Sequence, residues 1–261
     1  MHPLAWIAWA ASAALVTMST INPFYLVCVL TSAWAVHAAH RSVGPHARSF
    51  RVFVAFGGVA MTTRTLLVLL VPGDLSSSSL VLALVEGFRL AVLLAVFGAF
   101  NSVADPFAVL RLAPRRFHEP ALAAALALSI APRTMASVMR VREAQRMRGL
   151  SVGRLRALPA LAVPVLETGM EEAVTLAESM DARGHGRGRR TRYRPQTLGR
   201  GAITTAVTAV VSAGAFTVAA LVGGADLSIS TFPLTWPDVA PHLVVAALAL
   251  ATPAFIPVGQ P

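Results

Sequence analysis

The chain has 261 residues, 56% of them hydrophobic and 13% charged, with a mean hydropathy of +0.66. Soluble domains carry about 25% charged residues, so apolar surface on this scale faces lipid rather than a single buried core. The net charge of +10 comes from arginine without a single lysine, which excludes a P-loop, whose lysine reaches the nucleotide phosphates, and Schiff-base chemistry.

Spanning helices need about 20 mostly apolar residues, and six segments qualify in chain order. Leu4–Thr20 and Phe24–Ala39 are short and are separated by a turn at Asn22-Pro23. The first has no basic n-region and further apolar segments follow it, so it reads as a span rather than a cleaved signal. The second holds the one cysteine, Cys28, so neither an intrachain disulfide nor a cysteine metal cluster is possible. Val52–Pro72 and Leu80–Phe100 are full-length, and Ala202–Val222 and Val239–Ile256 close the chain.

The positive-inside rule orients these segments. Arg41, Arg48 and Arg51 put residues 40–51 in the cytoplasm, as Arg111, Arg115 and Arg116 do for residues 101–118. Residues 73–79 and 223–238 carry Asp74, Asp226 and Asp238 without any arginine and read as external. Fourteen arginines between Arg133 and Arg200 must also lie inside. The apolar run Pro120–Pro132 has 13 residues, too few for a span, and crossing there would put those arginines outside. The expected fold is therefore an all-α polytopic membrane protein with six spans and both termini in the cytoplasm. Residues 1–100 form a four-helix membrane region, 101–200 a cytoplasmic or interfacial helical domain, and 201–261 a C-terminal hairpin.

Within the cytoplasmic domain a helix is expected to start at Pro164. Leu166, Met170, Ala173, Ala177 and Met180 then form one narrow apolar stripe, with Glu167, Glu171 and Glu178 on a flanking face. Gly184 supplies a C-cap after Arg183. A second, more evenly charged helix, Arg133 to Arg148, also ends in Arg-Gly, at Arg148-Gly149. An arginine in a last turn suits the negative end of the helix dipole and leaves its guanidinium free to meet a partner carboxylate.

Glu143-Ala144-Gln145-Arg146-Met147-Arg148-Gly149 resembles the Ala-Gln-x-x-Arg-Gly box of the transmembrane T component of energy-coupling factor transporters, the family of the cobalt-transport protein CbiQ. Ala177-Glu178-Ser179-Met180-Asp181-Ala182-Arg183-Gly184 is similar to its second, Ala-Arg-Gly box, and Arg190-Thr191-Arg192-Tyr193 to its basic continuation. Phe88-Arg89-Leu90 and Asn101–Pro106 look like the family's first half, so the resemblance covers roughly residues 1–200; the C-terminal spans carry no matching motif. The resemblance implies an ABC importer in which two ATP-binding subunits dock on the coupling helices. A separate substrate-binding membrane subunit, the S component, captures a vitamin, a vitamin precursor or a metal ion. Ala144, Gln145, Arg148, Gly149, Ala182, Arg183 and Gly184 would carry the ATPase coupling. This chain would be neither an enzyme nor a cofactor binder.

The remaining features fit that frame. The arginine-rich stretch 183–200 lacks interleaved aromatics, so it reads as an anchor to anionic lipid rather than a nucleic-acid surface. His37 and His40, at helical spacing with His46 nearby, mark a membrane interface, and no metal site is expected. Neither a GxSxG nor an HExxH motif appears within the spans, which argues against an intramembrane hydrolase. The alternative class is a secondary transporter carrying its own small solute on broken helices in inverted repeats; no such repeat is visible. Arg64, Glu86 and Arg89 are the intramembrane charges that could serve it, and Glu86 is expected to pair with Arg64 or Arg89.

Overall fold

The computed structural model of the protein describes residues 2–40, 47–70, 77–149, 158–185, 198–222 and 238–256, and all secondary structure among them is helical. The chain divides into two compact units, one of Met1–Leu112 with Gln196–Pro261, the other of Ala113–Pro195.

The first unit holds α1 (Pro3–Ser19), α2 (Pro23–His40), α3 (Ala47–Leu70), α4 (Ser77–Val103), the short α5 (Pro106–Leu110), α8 (Arg200–Val222), α9 (Pro241–Ala249) and α10 (Thr252–Phe255). Helix α1 packs along α8 through small residues, Ala5, Ala10 and Ala13 on one and Ala202, Ala209 and Ala213 on the other, all buried. Such faces let backbones approach closely, which is how helices gain contact energy in lipid. Trp9, Tyr25 and Phe216 fill the larger gaps, Tyr25 meeting Phe216 edge-on at 5.4 Å between centroids.

The expected turn at Asn22-Pro23 is present and does more than reverse the chain. Asn22 is fully buried; its Oδ1 accepts from the Phe24 N–H and so caps α2, while its Nδ2 donates to the Asp238 carbonyl at 3.1 Å. The Tyr25 hydroxyl accepts the Ala240 N–H at 2.8 Å. The α1–α2 turn is thereby tied to the backbone entering α9.

Helix α3 lies mainly on α4, and glycines set their separation. A Cβ on Gly57 would sit 2.9 Å from the Ala91 Cα, and one on Gly87 would sit 3.0 Å from the Met61 Cα. The rest of α3 is open: Val52, Phe56, Val59, Leu66 and Leu70 are all exposed.

The expected continuous span Val239–Ile256 is interrupted. Helix α9 ends at Ala249, Leu250 and Ala251 form a turn, and α10 starts at Thr252. The cause is Pro253, which has no N–H for the Ala249 carbonyl and whose ring would strike it. In lipid a carbonyl freed by such a break must find another donor, and side chains of neighbouring helices reach four carbonyls around this one, of which Ala247 and Pro253 also accept a backbone N–H. Trp9 Nε1 donates to Leu250 O at 2.8 Å, Ser32 Oγ to Ala247 O at 3.2 Å, Ser212 Oγ to Ala246 O at 2.6 Å, and His40 Nε2 meets Pro253 O at 2.5 Å. Trp9→Phe strands the Leu250 carbonyl and should lower stability by about 1–3 kcal/mol. Thermal unfolding in detergent should show this loss, with Trp34→Phe on the exposed face of α2 close to wild type.

The second unit holds α6 (His118–Met147) and α7 (Leu158–Ala182). Two sequence expectations change here. The run Pro120–Pro132 and the segment from Arg133 to Arg148 are not separate: they join into one helix of 30 residues that continues through Pro132. Helix α7 begins at Leu158, not Pro164, because Pro159 already occupies the first turn, where a missing N–H costs nothing. The interior Pro164 leaves a gap in the ladder, and its own carbonyl accepts the Thr168 hydroxyl at 3.0 Å.

Among the described residues four helices, α3, α4, α6 and α8, are long and apolar enough to cross a membrane, and α1 is a shorter apolar helix of 17 residues. The protein is a helical membrane protein.

Candidate functional site: two capped arginines and an intramembrane charge cluster

The two Arg-Gly boxes end α6 and α7 in the same local geometry. At the end of α7, Gly184 has φ +75°, its N–H donates to Asp181 O at 2.8 Å, and the His185 N–H donates back to Met180 O at 3.0 Å. These are the paired bonds of a Schellman cap. At the end of α6, Gly149 has φ +73° and its N–H donates to Arg146 O at 3.0 Å. Only glycine takes this left-handed conformation without strain, so the glycine in each box is explained by the backbone alone.

The arginine before each glycine is not explained that way. Arg148 is the C-cap residue of α6, its N–H shared between the Ala144 and Gln145 carbonyls at 3.2 Å each. The Arg183 N–H donates to Ser179 O at 3.3 Å, one residue beyond Ala182, the last of α7. Both arginines are exposed, and neither guanidinium has an ion pair or hydrogen bond among the described residues. Capping needs the backbone of these residues, and the side chains project unengaged.

The apolar stripe expected on α7 faces outward: Leu166 is 63% and Met170 70% exposed, and Ala173 and Ala177 are exposed too, with Met180 half-buried. On α6, Met135, Met139 and Met147 are also exposed, and Ser137 is its one buried residue among those described. Methionine adapts its shape to whatever packs against it, so this unit presents an apolar, deformable surface. The spacing signalled the stripe but not the direction in which it faces.

In the first unit the sequence left two partners open for Glu86, and the structure places it with Arg64, Nη2 to Oε2 at 2.5 Å. Arg89 does something else. Its Nε donates to Thr17 O at 3.1 Å and its Nη2 to Met18 O at 2.5 Å. These are orphan carbonyls in the last turn of α1, a helix with no basic residue there of its own. The missing cap was the available signal in the sequence, but nothing pointed to α4 as its source.

His37 and His40 diverge rather than converge. His37 Nδ1 meets the Ser102 hydroxyl at 2.8 Å and its ring stacks on Phe50 at 4.1 Å. His40 lies edge-on to Trp6 at 5.4 Å with Nε2 on the Pro253 carbonyl. His46 and most of the arginine-rich stretch lie outside the described residues.

The chain matches no family model and no curated protein.

The Arg64–Glu86 pair carries a direct prediction. An unpaired charge at the centre of a span costs ~2.5–3.5 kcal/mol on insertion scales, and less towards its ends. Glu86→Gln leaves Arg64 without its carboxylate, so it should unfold at a lower temperature in detergent than Arg111→Gln, which alters an exposed arginine following α5. Equal unfolding temperatures would show that the pair contributes nothing.

Proposed function

We propose that the protein is the membrane coupling subunit of an energy-coupling factor type ABC importer, passing ATPase motion to a separate substrate-binding membrane subunit for uptake of a vitamin or metal ion. The observation that carries this reading is the pair of exposed, unengaged arginines, Arg148 and Arg183, each on the helix end before a left-handed glycine. A guanidinium at a helix terminus with no partner among the described residues is available for bidentate contact with a carboxylate or for a carbonyl-lined groove. Two such termini suit two ATP-binding subunits, and the exposed methionine-rich faces of α6 and α7 suit apolar contact with partners.

On this reading residues 113–195 sit on the cytoplasmic side of the inner membrane, α6 does not cross, and the termini are both inside. The crossings are α1, α2, α3, α4, α8 and the broken α9–α10. The fourteen arginines between Arg133 and Arg200 support that arrangement, because retaining them inside is the favoured outcome of insertion.

The broken last span favours a second reading, a secondary transporter with its own solute, since such carriers coordinate ions at unwound backbone. Its carbonyls at Ala246, Ala247, Leu250 and Pro253 are occupied by side chains, which leaves little for a solute to bind. Gentle solubilisation from its native membrane tests the choice. ATP-binding and small membrane subunits should be retained with the chain, and the chain alone in liposomes should transport nothing. Solute uptake by the isolated chain would decide for the secondary carrier.

A further inference from the structure

We infer that Arg64, Glu86 and Arg89 form a binding site for the phosphate of a membrane phospholipid. Glu86 and Arg89 are three residues apart on α4 and therefore neighbours on one helical face, and Arg64 reaches that face from α3. The cluster holds two guanidiniums and one carboxylate, a balance of +2 − 1 = +1. The carbonyls of Thr17 and Met18 engage Arg89 but carry no formal charge, and the negative end of α1 offsets only about half a unit. A net positive charge remains at membrane depth.

It is also accessible. The side chains of Arg64 and Glu86 are 41% and 33% exposed, on the edge of the unit where α3 turns its remaining surface outward. Arg64 lies six residues before Leu70, the end of α3, or ~9 Å along the axis. That is shallow enough for Arg64 to reach towards the headgroup layer, with Glu86 and Arg89 deeper, about 14 and 18 Å along α4 from its start at Ser77. A phosphodiester carries one negative charge and offers several acceptor oxygens, so it matches both the charge and the donors left on the two guanidiniums. Acyl chains of the same lipid would lie against Leu90 and Phe97, exposed on the same face of α4 as Glu86. The charge balance and the shallow position of Arg64 favour lipid phosphate over a carboxylate on a partner helix.

The test is native mass spectrometry of the delipidated full chain with added dioleoylphosphatidylglycerol, dioleoylglycerol serving as the matched lipid without phosphate. Arginine stretches elsewhere are common to every variant, so differences report this cluster. Arg64→Gln leaves Glu86 able to turn to Arg89 and brings the balance to zero. Binding should fall about fivefold, the attraction one arginine supplies near an anionic lipid. Glu86→Gln raises the balance to +2, and binding should rise although the ion pair is lost. Opposite shifts in the two variants, with dioleoylglycerol binding indifferent to both, support the site. A fall in both variants would mean that the pair only holds α3 to α4, and no change in either would mean that no lipid binds there. Displacement of the lipid by inorganic phosphate, or preferential binding of dioleoylglycerol, would also overturn the assignment.

Discussion

Replacing Arg148 and Arg183 together by alanine should leave the protein at normal abundance in the membrane and abolish solute uptake. Both side chains are exposed and unengaged among the described residues, so their removal leaves nothing unsatisfied inside the chain. The caps survive, because they are made by backbone bonds and by Gly149 and Gly184 rather than by the guanidiniums. Loss of a dipole-favoured arginine costs a helix end only ~0.3–1 kcal/mol. On the proposed coupling reading, the arithmetic is different on the partner side. Truncating one member of a buried, hydrogen-bonded charge pair typically costs about 2–5 kcal/mol, so retention of the ATP-binding subunits should weaken by about 30-fold or more for each arginine. Expression, retention of those subunits and uptake should be measured for Arg148→Ala, Arg183→Ala and the double variant. Arg133→Ala, an exposed arginine in the middle of α6, is the control and should behave as wild type. Normal uptake by the double variant would remove the coupling role from both arginines.

What could be read from the sequence follows from which interactions are local. The apolar runs that become α3, α4 and α8 were visible because backbone satisfaction in lipid leaves helix as the open choice for a long apolar run. The glycines at 149 and 184 were legible as caps because the left-handed conformation is nearly closed to other residues. Continuity was harder to judge. Pro132 followed by Arg133 looks like a boundary, yet α6 runs through it, since one missing ladder bond does not outweigh the residues on either side. Pro253 does break its helix, with Trp9, Ser32, Ser212 and His40 available to take up the carbonyls around the break. The difference between the two prolines lies in tertiary partners more than two hundred positions away for Trp9, Ser32 and His40. Arg89 is a similar case: its charge was plain, but its bonds to Thr17 and Met18 exist only because α4 passes the end of α1. The local half of the candidate site, the two capped arginines, was therefore readable, and the non-local half, the division of labour between Arg64 and Arg89, was not.

Single cysteines placed at Asp238, Arg111 and Glu172 in a Cys28→Ser background should divide into two classes with an impermeant thiol reagent. Asp238 should react from outside the intact cell, whereas Arg111 and Glu172 should react only after permeabilisation. All three positions are exposed, so differences in reactivity report the side of the membrane rather than burial. The informative pair is Arg111 and Glu172, which flank α6 in the chain. This helix is the one element for which two physical arguments conflict: its length and apolar composition permit a crossing, while the arginines that follow it oppose one. A crossing would carry Arg140, Arg142, Arg146 and Arg148 to the outer face together with the arginines up to Arg200. Insertion is biased against exporting arginine close to a helix end, and here the excess is large over a short segment. Pro132 and Arg133 near the middle of α6 add a further cost, since a central arginine opposes insertion by ~2.5–3.5 kcal/mol. The charge argument therefore outweighs the length argument, and Arg111 and Glu172 are expected on the same, inner side. External labelling of Glu172 with protection of Arg111 would mean that α6 crosses, and it would place Arg148 and Arg183 beyond the reach of any cytoplasmic ATPase.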